Sequence, residues 1–232
     1  MADTFEARLL KAYPEATWPT FIRGVCEAVK VADAVRRSTP FLSTNVGNDL
    51  RGFLRRAAIM WRLQLLCKTG ELPFHATEVS NSNRTSHLLS ILSDNLEIHI
   101  VRTDDVFAFP EDAPIRQDRR VTNQPDLFDD GKIIPLTEAL REVPRLYGWL
   151  AWGATSHGEI THLCLGMPEH DRDQWLAHIS VLHRVRLEEG SPRPADPTQS
   201  APNPALLLKF RAEIARSLEE DQEGGGGDGD AA

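Results

Sequence analysis

The run from Ser86 to Phe109, SHLLSILSDNLEIHIVRTDDVFAF, constrains this chain more than any other stretch. Two apolar segments, Leu88 to Leu92 and Leu96 to Val101, flank the turn-forming cluster Ser93-Asp94-Asn95, the pattern of a β-hairpin. Leu96, Ile98 and Ile100 alternate with Glu97 and His99, which predicts a strand with one buried face. A lone hairpin is marginal in water, so other segments must supply further strands and a helical cover. Phe74 to Val79 reads as a preceding strand, and Val106 to Phe109 as a short following one ended by Pro110.

A second hairpin is legible in LYGWLAWGATSHGEITHLCLGM. Leu146 to Trp152 and Glu159 to Met167 form its arms, with a Gly153 to Gly158 loop between them. Tyr147, Trp149 and Ala151 alternate with Gly148, Leu150 and Trp152, so both faces are apolar and the hairpin belongs in the centre of a sheet. The two hairpins are expected to join in one antiparallel sheet. Residues 169–183 carry Trp175, Leu176, Ile179 and Leu182 at helical spacing and predict a helix running on into a strand. A short helix is also expected within 135–143.

The first 70 residues read as helical. Asp3 with Glu6 suggests a capped helix stopped by Pro14. Trp18-Pro19 opens a second, with Ile22, Val25, Val29, Ala32 and Val35 on its buried side. A third runs from Gly47 to Cys67 and ends near Gly70, with Leu50, Phe53, Leu54, Ala57, Trp61 and Leu65 as the expected buried stripe. Arg51, Arg55 and Arg62 share another side of that helix, a row suited to nucleic-acid phosphates or an acidic partner.

The fold class expected is therefore α+β, with an N-terminal helical unit (1–70) packed on a mainly antiparallel sheet domain (71–186). The sheet domain contains a long polar loop at 110–131. Residues 187–204 form a linker whose stretch 190–204 holds five prolines. It delivers an amphipathic C-terminal helix (205–220) with Asn203 as cap, Pro204 in the first turn and Leu207, Phe210, Ile214 and Leu218 on one side. Residues 221–232 are an acidic, glycine-rich tail expected to be flexible.

Charge and cysteine usage narrow the function. The net charge of −8 is uneven, since residues 1–70 carry eleven basic against six acidic side chains while 187–232 carry four against ten. A uniformly basic nucleic-acid surface is absent, though a local one in the N-terminal third is not. The three widely spaced cysteines offer neither a disulfide framework nor a CxxC metal site. No apolar run reaches the length of a membrane span, and the acidic N-terminus is unlike a signal peptide. The cytoplasm is the expected location, and no membrane partner is expected.

Phosphate-binding GxxxxGK[ST], strand-borne GxGxxG, HExxH and GxSxG motifs are missing. Ser156 and His157 are adjacent in a turn, where their side chains diverge. His157 and His162, and likewise His178 and His183, stand five residues apart, a spacing that puts them on different faces of a helix or strand. His99 and His162 lie in different hairpins and could converge across the sheet, and with Glu97, Asp94 or Asp104 nearby in sequence they make up the acid–base or metal-assisted site the sequence suggests.

The pentapeptide Gln124-Pro125-Asp126-Leu127-Phe128 resembles the sliding-clamp-binding motif of bacterial DNA polymerases and repair proteins, Gln-Leu-(Ser/Asp)-Leu-Phe. Pro125 departs from the usual leucine. The resemblance implies that Leu127 and Phe128 plug an apolar pocket of the clamp while Gln124 bonds its rim beside Asp126. Partner capture or self-association through the C-terminal helix is the other interaction expected. The leading reading is a cytosolic, non-catalytic interaction or regulatory protein in a bacterial DNA-transaction, defence or toxin–antitoxin setting, with no cofactor. The competing reading is a metal-dependent hydrolase or nuclease using His99, His162 and Asp104.

Overall fold

The computed structural model describes residues 4–80, 87–110, 113–123, 145–188, 205–206, 208–210 and 212. The first helix, α1 (Phe5–Ala12), is capped by Thr4, whose hydroxyl accepts the Ala7 N–H at 3.2 Å; Asp3, the expected cap, lies outside the described residues. After a 3-10 turn at Glu15–Thr17 comes α2 (Trp18–Ser38), with Pro19 in its first turn. A second 3-10 turn (Pro40–Ser43) leads into α3 (Asn45–Asp49) and then α4 (Arg51–Lys68). The helix expected from Gly47 onward is thus two helices meeting at Leu50. Gly47 permits this corner, because a Cβ there would lie 2.3 Å from the Leu42 carbonyl oxygen.

The buried stripe of α4 differs from the expected one. Ala58, Ile59, Leu63 and Leu66 are fully buried, while Leu50 and Phe53 are 44% and 67% exposed. The arginines explain the rotation. Arg55 and Arg62 lie inside, paired with Asp33 and Glu27 of α2, and their alkyl stems fill the α2–α4 seam. Gly24 lets the helices close, since a Cβ on it would stand 2.6 Å from Leu66 Cδ1.

The sheet has six strands in sequential order: β1 (His75–Ser80), β2 (His87–Ser93), β3 (Leu96–Arg102), β4 (Leu146–Ala154), β5 (Ile160–Pro168) and β6 (Trp175–Ser180). Asp94-Asn95 turns β2 into β3. The two hairpins join through a parallel β3–β4 pair, not the antiparallel one expected. A parallel pair requires a long crossover, here residues 103–145. Val106 to Phe109 forms no strand and instead crosses the sheet, with the Phe109 ring 4.8 Å from Trp149 and 5.0 Å from Trp175. A helix, α5 (Pro114–Arg120), lies in the crossover, and after residue 169 the order of elements is reversed from the expected one: strand β6 comes first and α6 (Val181–Glu188) follows it. Edge pairing with β5 captures Trp175 to Ser180, and Trp175 sits on Gly166, where a Cβ would meet its ring at 2.2 Å.

Both faces of the sheet are covered. The helices bury Leu96, Ile98, Ile100, Leu150, Trp152, Leu163 and Leu165 on one side. Val101, Tyr147, Trp149, Ala151 and Cys164 are buried on the other, beneath Val106, Phe109 and Trp175. Strand β3 is therefore not half-exposed, and Glu97 and His99 are buried with the rest. The segment holding this second cover is pinned by Asn123, whose Nδ2 donates to the Tyr147 and Pro168 carbonyls and whose Oδ1 accepts the Tyr147 N–H, all at 2.8 Å.

The helical residues between 205 and 212 return to α4. Leu206 and Phe210 are buried, and the Phe210 ring lies 5.1 Å from Trp61. The side expected to capture a partner is to that extent packed on the protein itself; Leu207, Ile214 and Leu218, and the expected 135–143 helix, fall outside the described side chains. Among the described residues no helix is long and apolar enough to cross a membrane.

Tyr13 ties α1 to the hairpin, its hydroxyl 2.8 Å from the Ile91 carbonyl and 3.1 Å from that of Leu96. Tyr13→Phe leaves these buried acceptors short of a donor and is expected to lower stability by about 1–3 kcal/mol. Urea unfolding measures it, and an unchanged midpoint would show that the hydroxyl contributes nothing.

Candidate anion-binding cleft

The histidine pair suggested by the sequence does not converge. His99 stands opposite Trp149 of β4, which stands opposite Gly166 of β5. His162 lies four residues further along β5, so the two imidazoles are about 13 Å apart along the strand direction alone. His162 is buried with Thr103 Oγ1 at 2.8 Å and Thr161 Oγ1 at 3.0 Å, and burial lowers its pKa below the ordinary value despite the nearby Asp105. Asp104 is 94% exposed by side chain. The trio forms no acid–base site.

His99 instead belongs to a sealed polar chain. Its Nε2 donates to Glu97 Oε1 at 2.8 Å, and its Nδ1 meets the Tyr147 hydroxyl at 2.9 Å. Ser90 donates to the same Glu97 oxygen at 2.8 Å, and Arg119 to Oε2 at 3.1 Å. Burial alone would raise the Glu97 pKa. The hydrogen bond and charge of His99, with Ser90 and Arg119, outweigh it and hold the carboxyl at about 2. Ser90, Glu97, His99 and Tyr147 each have a hydrogen-bond partner within this chain, which suits a structural role under the sheet's second cover. Among the described residues, three potential metal-ligating side chains gather only at Glu169-His170-Asp171, consecutive residues that include none of the histidines singled out by sequence. Burial pushes the Cys67 and Cys164 thiols up to about 11, so neither is an activated nucleophile.

The chemistry concentrates elsewhere, in a cleft of about 330 Å³ where the start of α4, the end of β3 and the β4–β5 turn meet. Asn48, Asp49, Arg51, Gly52, Arg55, Arg102 and Trp152 are among its walls, and Arg36 of α2 reaches one of them, Asn48, from outside the lining. Arg55 is the fixed member. It grips Asp33 as a fork, Nε to Oδ1 at 2.9 Å and Nη2 to Oδ2 at 2.7 Å, and its Nη1 donates to the Thr155 carbonyl at 2.8 Å. The β4–β5 turn closes over this pair through Gly158, with φ +90° and room for no Cβ beside Asp33. Both side chains are nearly buried, at 6% and 8% exposure.

The other arginines lack such compensation. Arg36 Nη1 and Arg51 Nη2 both donate to one neutral acceptor, Asn48 Oδ1, at 2.6 and 3.0 Å. Among the described residues neither has a carboxylate within 4.0 Å. Like unit charges ~5 Å apart repel by roughly 1 kcal/mol in bulk water and about 3 at a protein surface, so two guanidiniums sharing one neutral acceptor gain nothing from each other. Arg102, on β3, reaches over the first turn of α4 so closely that a Cβ on Gly52 would stand 2.7 Å from its Nη1. Its acidic contact, Asp104, is 3.7 Å away and open to solvent. The first turn of α4 carries no acidic residue and no side-chain cap, with Asp49 just before it, and the positive end of the helix dipole adds to the same field. Three buried donors here have no acceptor: Arg36 Nε, Arg51 Nε and the indole N–H of Trp152.

Of the predicted row, Arg51 reaches the cleft, Arg55 braces it, and Arg62 is withdrawn to Glu27 at 2.8–2.9 Å. Sequence reading missed Arg36, Asn48, Arg102 and Trp152. Arg36 and Arg102 sit at the end of a helix and of a strand, and only the fold brings each to the α3–α4 corner. Gln124, Asp126, Leu127 and Phe128 lie outside the described residues. Comparison with family models, with curated protein sequences and with solved structures gives no match to this chain.

Two outcomes follow from the ionised groups. Asp33→Ala strands a buried guanidinium and is expected to cost about 3–5 kcal/mol in denaturant unfolding, with Arg55→Met in the same chain restoring part of it. Glu97 is held below its ordinary 4.5, so its stabilisation is fully present above that pH and lost as pH falls towards 2. The loss is on the order of 3 kcal/mol. Acid unfolding of Glu97→Gln should show a correspondingly flatter limb, and an unaltered acid limb would refute the assignment.

Proposed function

We propose that this chain is a cytosolic, non-catalytic binding protein, regulatory in role, that recognises a phosphate group in the arginine cleft. The observation that carries the reading is the meeting of Arg36 and Arg51 on a single neutral oxygen, Asn48 Oδ1, with buried donors left over and, among the described residues, no carboxylate within 4.0 Å of either guanidinium. Buried or crowded cations without counter-charge are costly, and a bound anion removes that cost. Donors approach from α4, from β3 and from Trp152 on β4. That spread suits a tetrahedral group with three terminal oxygens better than a planar carboxylate, which a single guanidinium fork satisfies. The start of a helix is itself a favourable phosphate seat. Among the described walls three guanidiniums, Arg51, Arg55 and Arg102, stand against one carboxylate, Asp49, and no imidazole, a balance that favours holding an anion.

Titration calorimetry with inorganic pyrophosphate at low ionic strength tests this. Arg51→Ala and Arg102→Ala are each expected to weaken binding by at least about tenfold, the effect of losing one charge-assisted hydrogen bond. Arg23→Ala, which removes an exposed pair with Glu71, should leave it unchanged. Equal affinity in all four proteins, or no heat with the wild type, would overturn the proposal.

A further inference from the structure

The cleft has an apolar rim that the fold does not use. Val46, Leu50 and Phe53 follow one another at helical spacing across α3 and the start of α4, and they are 75%, 44% and 67% exposed; Phe41, on the turn before α3, is 67% exposed. Their sequence neighbours Asn48, Arg51 and Gly52 form the cleft wall. The core of α4 is complete without them, since Ala58, Ile59, Leu63 and Leu66 fill the seam against α2 and the sheet. Side chains this exposed stand proud of the surface instead of lining a groove. Bulky apolar groups seldom cluster in this way without a docking role.

We infer that the α3–α4 corner docks on the surface of a phospholipid bilayer, with a lipid phosphate in the arginine cleft and Phe41, Val46, Leu50 and Phe53 entering the headgroup–acyl boundary. This rests on the phosphate reading of the cleft and names the source of the phosphate. It departs from the expectation, drawn from sequence, of no membrane partner. Charge complementarity and the protruding rim select this occupant together. Interfacial binding combines an apolar face, buried about 5–10 Å into the boundary, with cations at headgroup level, and here guanidiniums and apolar side chains adjoin on one corner. A second copy is disfavoured, because pairing this corner with itself about a two-fold axis sets like arginine clusters against one another. Single-stranded nucleic acid would use aromatic platforms, which gives Val46 and Leu50 no part. The chain's net charge of −8 opposes long-range attraction to an anionic surface, so insertion of the rim has to carry much of the affinity.

Co-sedimentation of the full chain with vesicles of phosphatidylcholine and phosphatidylglycerol at 7:3 tests the inference, with calorimetry against pyrophosphate and against oligo(dT) as parallel arms. The expected result is vesicle binding that falls at least tenfold in Val46→Ser/Phe53→Ser and in Arg102→Ala. Pyrophosphate binding should persist in the former variant and fail in the latter. Both rim positions are exposed, and circular dichroism confirms that the double variant folds. No vesicle binding by a wild-type chain that still binds pyrophosphate would overturn the inference and leave the phosphate reading standing. Vesicle binding indifferent to the rim substitutions would also overturn it, as would oligo(dT) binding tighter than vesicle binding.

Discussion

The fork between Arg55 and Asp33 is the contact on which the arrangement of this protein turns. It joins α4 to α2 inside the helical layer, and through the Thr155 carbonyl it also holds the turn between β4 and β5. A buried ion pair of this kind is a weak source of net stability. Its value lies in geometry. With Arg55 pointing inward, α4 has one permitted rotation about its axis, and that rotation decides which residues reach the core, which reach the cleft and which are left outside.

The consequence appears at the start of α4. Arg62, one helical repeat further along, follows Arg55 inward to Glu27, whereas Arg51 emerges beside Asn48, to which Arg36 also donates, and lines the cleft together with Arg102. The same rotation turns Leu50 and Phe53 out to solvent. The cationic cleft and its apolar rim are therefore two products of one packing decision. Gly47 and Gly52 make the corner possible by admitting the Leu42 backbone and the Arg102 guanidinium where a side chain would collide.

The opposite face of the sheet solves a different problem. Glu97 and His99 alternate with apolar residues on β3, and in a half-exposed strand they would meet water. Residues from the parallel crossover cover them instead, held by Asn123 and by Arg120, which donates to the Glu169 carbonyl and pairs with Asp173 at 3.1 Å. The polar groups beneath satisfy one another through Ser90, Tyr147 and Arg119. Burial without partners would cost several kcal/mol; with them the chain becomes a rigid spine across three strands.

Much of the architecture was legible in the residues. The two hairpins, the Asp94-Asn95 turn, α2 with its proline opening and the α+β class follow from local periodicity and turn chemistry, which neighbouring residues carry between them. The sequence also placed arginines on one side of the third helix and showed that the common catalytic motifs are missing. It could not say that those arginines face inward, because the acids that accept them, Asp33 and Glu27, lie more than twenty residues away and periodicity counts apolar side chains alone. Nor could it order strand before helix in 175–188, where pairing with β5 overrides helical spacing. Arg36 and Arg102 come from different layers of the fold, and the approach of the first to Asn48 and of the second to Gly52 is a property of tertiary packing. Local patterns determine elements; only the closed structure determines which charges are left without a counter-charge.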